Sequence, residues 1–215
     1  MNLNLKAKRV LCYGDSNTWG YIPIGIGKKR YNITKRWPGK LQKKLGKNYE
    51  VIENGLPGRT TMFDDPRPDF PERNGLKTLP IILETNLPLD YVIIMLGTTD
   101  TKEMLNLKVE EIVNGINKLI RLVKDFKKLE NTKAPKIIII APPIINEEAK
   151  FASNLFKGAT DKSKKIIKLY KKLCTKENVI YIDSSKEIIV DKNDGIHFDE
   201  TNHKKLANLI YNKIR

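Results

Sequence analysis

The chain has 215 residues, which at roughly 150 residues per domain suits one α/β-sized domain over residues 1–215, and a chain of that length can bury about 70% of its unfolded surface without covalent staples. Its two cysteines, Cys12 and Cys174, lie far apart; no secretory signal opens the chain and no apolar run reaches the roughly 20 residues of a bilayer span, so a disulfide scaffold and a membrane-spanning protein are set aside and a cytoplasmic location is expected. Forty Lys and Arg against 25 Asp and Glu give a net charge of +15, yet neither zinc-finger spacing nor an RNP-type aromatic motif accompanies it, so neither nucleic acid nor a membrane is an expected partner.

In chain order, β-rich runs at Arg9 to Tyr13, Glu50 to Glu53, Tyr91 to Leu96, Lys136 to Ala141 and Val179 to Ile182 alternate with amphipathic stretches. The runs are mostly uninterrupted Val and Ile, the composition of strands buried on both faces of a parallel sheet. Between the third and fourth runs, Ile112, Val113, Ile116, Leu119, Ile120 and Val123 make an apolar stripe at helical spacing; Ile166, Ile167, Tyr170, Leu173 and Cys174 make a second, and Leu206, Leu209, Ile210 and Ile214 a third. Five β-α alternations without a repeat or linker predict a three-layer α/β/α sandwich around a five-stranded parallel sheet of flavodoxin-like type. Two basic runs, one between Ser16 and Tyr49 where no acid occurs and one from Lys162 to Lys176, read as solvated faces.

Ligands of such sheets bind outside the carboxyl ends of the strands, so the residues that follow each strand are where chemistry is expected. After the first strand comes Gly14-Asp15-Ser16-Asn17-Thr18-Trp19-Gly20, after the second Asn54-Gly55-Leu56-Pro57-Gly58-Arg59-Thr60-Thr61, after the third Gly97-Thr98-Thr99-Asp100, and beyond the fifth Asp194-Gly195-Ile196-His197-Phe198. The chain has only two histidines, His197 and His203. His203, flanked by Asn202, Lys204 and Lys205, is expected on the exposed start of the last helix. His197 follows Asp194 by three residues, a spacing that lets the carboxylate accept the Nδ1 proton and leave Nε2 as a base. Ser16 is expected at a strand-to-helix junction, where a serine can present Oγ as a nucleophile and its own N–H to a developing oxyanion. The same tripeptide could equally cap a helix.

Together these blocks resemble the SGNH (GDSL-type) hydrolases. Gly14-Asp15-Ser16 is similar to the first block, Asn54 to Thr61 with Gly58 to the second, Gly97 to Asp100 to the third, and Asp194 to His197 to the last; the longer strings look most like the bacterial arylesterase and acyltransferase branch. The resemblance implies the SGNH hydrolase fold and a serine esterase or acyltransferase that acts on small carboxylic esters without a cofactor or metal. In it Ser16 is the nucleophile, His197 the base and Asp194 its orienting acid. Ser16 and Gly58 supply backbone N–H groups to the oxyanion hole, and Thr99 stands where the family carries a third-block asparagine. Thr99 can donate a single hydrogen bond from a shorter side chain, which motivates an alternative reading, a non-catalytic or weakly active binding protein that keeps the fold. Trp19 is a candidate wall of the acyl pocket, and Asp15 a brace for the nucleophile loop. A homo-oligomer is left open.

Overall fold

All five apolar runs form strands and pair in parallel in a computed structural model that describes residues 4–24, 29–130 and 133–215; residues 25–28, inside the first basic run, lie outside them. The strands are β1 (Lys8–Gly14), β2 (Tyr49–Gly55), β3 (Tyr91–Met95), β4 (Lys136–Ala141) and β5 (Ile180–Asp183), within two residues of the expected ends. Their order is β2-β1-β3-β4-β5, so the chain first steps to one side of β1 and then to the other. That reversal opens a crevice at the carboxyl ends of β1 and β3, the place where open parallel sheets receive ligands.

The helices are α1 (Ser16–Trp19), α2 (Trp37–Leu45), α3 (Gly75–Glu84), α4 (Val109–Glu130), α5 (Ala159–Glu177) and α6 (Glu200–Ile214). Alternation along the strands divides the core. Leu11, Tyr13, Val92, Ile94 and Ile139 pack against the apolar residues of α3, α4 and α5, while Val10, Cys12, Ile93, Met95, Ile138 and Ile140 pack against α2 and α6. The central strands are therefore buried on both faces, as their unbroken Val/Ile runs require. A smaller cluster of Ile145, Ala149, Ala152, Phe156, Ala159 and Ile196 sits at the carboxyl rim. It packs the segment after β4 under the loop that carries His197.

Two helices carried weaker signals. In α2 a proline stands in the first turn, where its missing N–H is harmless, and α3 holds Pro80 inside it. One expectation fails outright: His203 is not at the surface but fully buried. Its polar neighbours suggested exposure, yet Leu206, Ala207, Ile210 and Ile214 follow it at helical spacing, and it lies on that same buried face. The second basic run is an exposed face of α5, as expected. The first is partly paired: Arg36 Nε lies 2.5 Å from Glu53 on β2, and Lys35 and Lys40 reach Glu200 at 3.3 and 3.1 Å.

Candidate active site

Gly14 ends β1, and the chain turns at once into the short helix α1. Asp15 is its N-cap: Oδ1 accepts the Asn17 N–H at 2.9 Å, and its carbonyl accepts the Thr18 and Trp19 N–H groups. Ser16 is thereby held as the first helical residue, 8% exposed, with Oγ at the rim. Asp15 itself is fully buried and its second oxygen has no partner. Burial pushes its pKa up to about 6 against the pull of the Asn17 N–H and of His197.

At the opposite end of the sequence a tight turn brings Asp194 back onto His197. Gly195 makes the turn possible, because its φ is +82° and a Cβ there would lie 2.2 Å from the Asn146 carbonyl oxygen. Asp194 Oδ1 accepts the backbone N–H groups of Ile196 (3.0 Å) and His197 (2.7 Å), and Oδ2 accepts that of Ile24 (2.9 Å). His197 Nδ1 is 2.9 and 3.0 Å from the two carboxylate oxygens, and Nε2 is 2.9 Å from Ser16 Oγ. The three side chains, separated by nearly the whole chain, meet in one line. Burial alone would raise the pKa of Asp194; the hydrogen bond and charge of His197 and the backbone N–H groups outweigh it and hold the carboxyl below its ordinary value.

Beside this line opens a cavity of about 140 Å³. Ser16, Gly58 and Thr99 all border it. Among the described residues, neither the Ser16 nor the Gly58 N–H donates to a protein acceptor, and the Thr99 hydroxyl makes no hydrogen bond. Gly58 has φ +83°, and a Cβ there would meet the Phe70 ring at 3.0 Å. The second and third loops are bolted together behind these groups. Arg59 donates to the carbonyls of Gly14 and Asn54 (2.9 and 2.5 Å) and to Asn54 Oδ1 (2.9 Å), while Asp100 accepts the Thr61 N–H at 2.9 Å and its hydroxyl at 2.5 Å. Asp100 is fully buried, and burial, with the nearby charge of Asp15, lifts its pKa to about 6 against those hydrogen bonds.

Trp19 does not line the cavity. Its ring packs against Tyr21 (6.1 Å between centroids) and under the Arg30 guanidinium (5.1 Å), one layer behind the wall. Tyr21 takes the place expected for it, stacked on the His197 imidazole at 4.4 Å and 20°. The remaining wall was not anticipated from sequence: Phe151, Leu155 and Phe156 from the segment after β4, and Arg67, Phe70 and Lys102 from the loops after β2 and β3. Spacing held no signal for them; the rule that ligands bind at the carboxyl ends of the strands applies to the segment after β4 as it does to the four loops named from the sequence. His203 stands outside the site. Its Nδ1 accepts the Trp37 N–H at 3.2 Å under α2, and burial, reinforced by Lys40, lowers its pKa to about 3. Among the described residues no cluster of three or more His, Cys, Asp or Glu side chains is placed to hold a metal ion.

A parallel sheet in this order, with its polar loops gathered at the carboxyl ends of β1, β2 and β3, is of flavodoxin-like type, and solved esterases of the SGNH family share it. An aryl esterase from M. smegmatis is 37% identical, covering 97% of this chain and 99% of its own, with a TM-score of 0.90. A carbohydrate acetylesterase from Sinorhizobium meliloti is 38% identical over 96% of this chain and 98% of its own, with a TM-score of 0.89. A lipase/acylhydrolase from Enterococcus faecalis, 20% identical over 96% of this chain and 95% of its own at a TM-score of 0.66, shares the fold. Among curated protein sequences there is no match. The chain belongs to the GDSL-like lipase/acylhydrolase family, whose model matches residues 12–205, and is a carboxylic ester hydrolase.

Proposed function

We propose that this hydrolase cleaves small carboxylic esters by acyl transfer through Ser16, with His197 as base and Asp194 as its orienting acid. The observation that carries the reading is the unbroken line of hydrogen bonds from Asp194 through both imidazole nitrogens to Ser16 Oγ, at 2.9 Å on each side of the ring. Ser16 Oγ attacks the ester carbonyl carbon and passes its proton to His197 Nε2, while Asp194 stabilises the imidazolium. The tetrahedral intermediate collapses, the C–O bond to the alcohol breaks, and the alcohol leaves with the proton from His197. Water then enters, is deprotonated by His197 and releases the acid, returning the proton to Ser16. An alcohol that enters instead of water completes a transesterification, and the apolar walls around the site favour that competition.

The unpaired N–H groups of Ser16 and Gly58, with the free Thr99 hydroxyl beside them, are the donors that would hold the oxyanion. A cavity of about 140 Å³ takes a group about the size of a benzene ring, which fits acetyl and other short acyl esters of aryl or sugar alcohols, in keeping with the aryl esterase and the carbohydrate acetylesterase that this chain is similar to. Both cysteines are buried and unpaired, in keeping with a reducing cytoplasm. The test is release of p-nitrophenol from p-nitrophenyl acetate by the wild type and by Ser16→Ala. Turnover that disappears with Ser16 is expected, and turnover that survives Ser16→Ala contradicts the assignment.

A further inference from the structure

The cavity carries more positive charge than the reaction needs. Lys102, only 5% exposed, and Arg67 both border it, and Asp65 is the acid that faces them: Arg67 binds it through Nε and one terminal nitrogen (2.8 and 2.6 Å), and Lys102 Nζ reaches it at 3.3 Å. Arg73 adds a third cation, its guanidinium carbon 5.2 Å from the Phe70 ring that Arg67 covers at 3.7 Å. Asp65 pairs with Arg67 and Lys102 and also acts on Arg73, and Asp100 adds its charge at Lys102, so three cations face two carboxylates. Burial would raise the pKa of Asp65, but the hydrogen bonds from Arg67 and the charge of Lys102 bring it down to about 2, so it stays charged and its compensation is already counted. Burial and the charge of Arg67 lower the pKa of Lys102 against the opposing pull of Asp65 and Asp100. Among the described residues, the other terminal nitrogen of Arg67 makes no hydrogen bond, and Lys102 Nζ makes none beyond Asp65, its other neighbour being the Phe70 ring with its centroid at 5.7 Å. The buried Phe156 and the half-buried Phe70 line the same cavity, and apolar surface beside a charge lengthens its reach.

Resting on the esterase reading above, we propose that Arg67 and Lys102 form an anion subsite, and that the preferred ester carries a carboxylate or another acidic group on its non-reacting part. A structural role for the cluster would be complete with the Arg67–Asp65 pair alone; it would not require a second, nearly buried cation with a single hydrogen bond on the cavity wall. The acidic group can sit on the acyl or the alcohol portion, and substrate pairs distinguish the two. Monophenyl adipate is compared with its methyl ester for the acyl side, and (4-acetoxyphenyl)acetate with its methyl ester for the alcohol side, with phenyl acetate as the reference substrate. The ratio of kcat/KM for the acid over its methyl ester is expected to exceed about fivefold in one pair and to shrink with added salt. Arg67→Gln and Lys102→Met should each lower that ratio by about tenfold, mainly through KM, whereas Lys102→Arg keeps it; melting temperatures identify any variant that has lost its fold. Isothermal titration with adipate and with (4-hydroxyphenyl)acetate reads the same subsite without turnover, and binding should weaken in Lys102→Met. Loss of phenyl acetate turnover with anion binding intact overturns the esterase reading and leaves the subsite standing. Ratios at or below one in both pairs, with phenyl acetate hydrolysed normally, overturn the subsite.

Discussion

His197 and His203 lie one helical turn and a half apart in sequence, both are buried, at 5% and 0% exposure, and each packs against an aromatic ring at about the same distance, Tyr21 at 4.4 Å and Phe198 at 4.5 Å. What separates them is the group that faces Nδ1. Against His197 it is the Asp194 carboxylate, an acceptor, so Nδ1 keeps its proton and Nε2 is free to take one from Ser16. Against His203 it is the Trp37 N–H, a donor, so the proton resides on Nε2, which has no partner. Burial without a facing carboxylate lowers the basicity of His203, whereas Asp194 fixes the tautomer in which His197 Nε2 is the acceptor. Neither residue type nor burial separates the histidine proposed as the base from the other; the partner does.

The largest effect expected from breaking this contrast is on turnover. His197→Gln should lower kcat by about 10⁴-fold or more, while His203→Gln, outside the cavity, should stay within a few-fold of wild type; steady-state rates on p-nitrophenyl acetate decide it. Equal losses in both variants would mean that the partner argument is wrong.

Next is stability against pH. The folded pKa of His203 is about 3 and the unfolded value about 6.5, so its contribution is present above pH 6.5 and is lost as pH falls toward 3. Each unit of that difference is about 1.4 kcal/mol, which places the full effect on the order of 5 kcal/mol. Asp15 and Asp100 run the other way. With folded pKa values of about 6 and unfolded values near 3.9, they favour the fold most below pH 4, and that advantage is lost as pH rises to 6. Melting temperatures between pH 4 and 6 should therefore fall more steeply with rising pH in His203→Gln than in wild type, and less steeply in Asp100→Asn. Parallel pH profiles for all three proteins would contradict both assignments.

The smallest expected effect concerns the oxyanion side. Thr99→Asn adds an amide donor where a single hydroxyl now stands unpaired, and should raise kcat on a small activated ester by about tenfold. A correctly folded Thr99→Asn protein with unchanged or lower kcat would show that the hydroxyl already serves as well as an amide.

Much of this was legible before any coordinates. The five strands announced themselves because central parallel strands need apolar side chains on both faces; three loops did so because Gly14, Ser16, Gly58 and Thr99 are small or polar residues soon after apolar runs, and the fourth because Asp194 stands three residues before His197. The cavity walls were not legible. Tyr21, Phe70, Phe151 and Phe156 are loop aromatics, and a loop aromatic reads as packing until the fold shows which cleft it faces. Lys102 and Arg67 were hidden by abundance, since a chain with forty basic residues makes any one of them look like solvated surface. His203 was misplaced because immediate neighbours were weighed above the helical stripe that continues to Ile214.

The central claim is that His197 makes Ser16 a nucleophile and that no other serine is so placed. Labelling with a fluorophosphonate, followed by peptide mass spectrometry of the wild type, Ser16→Ala, His197→Gln and His203→Gln, reads that claim directly. One adduct on Ser16 is expected in the wild type and His203→Gln, formed far more slowly in His197→Gln and absent from Ser16→Ala. An adduct on another residue, or labelling of Ser16 that His203→Gln slows as much as His197→Gln does, would contradict the account.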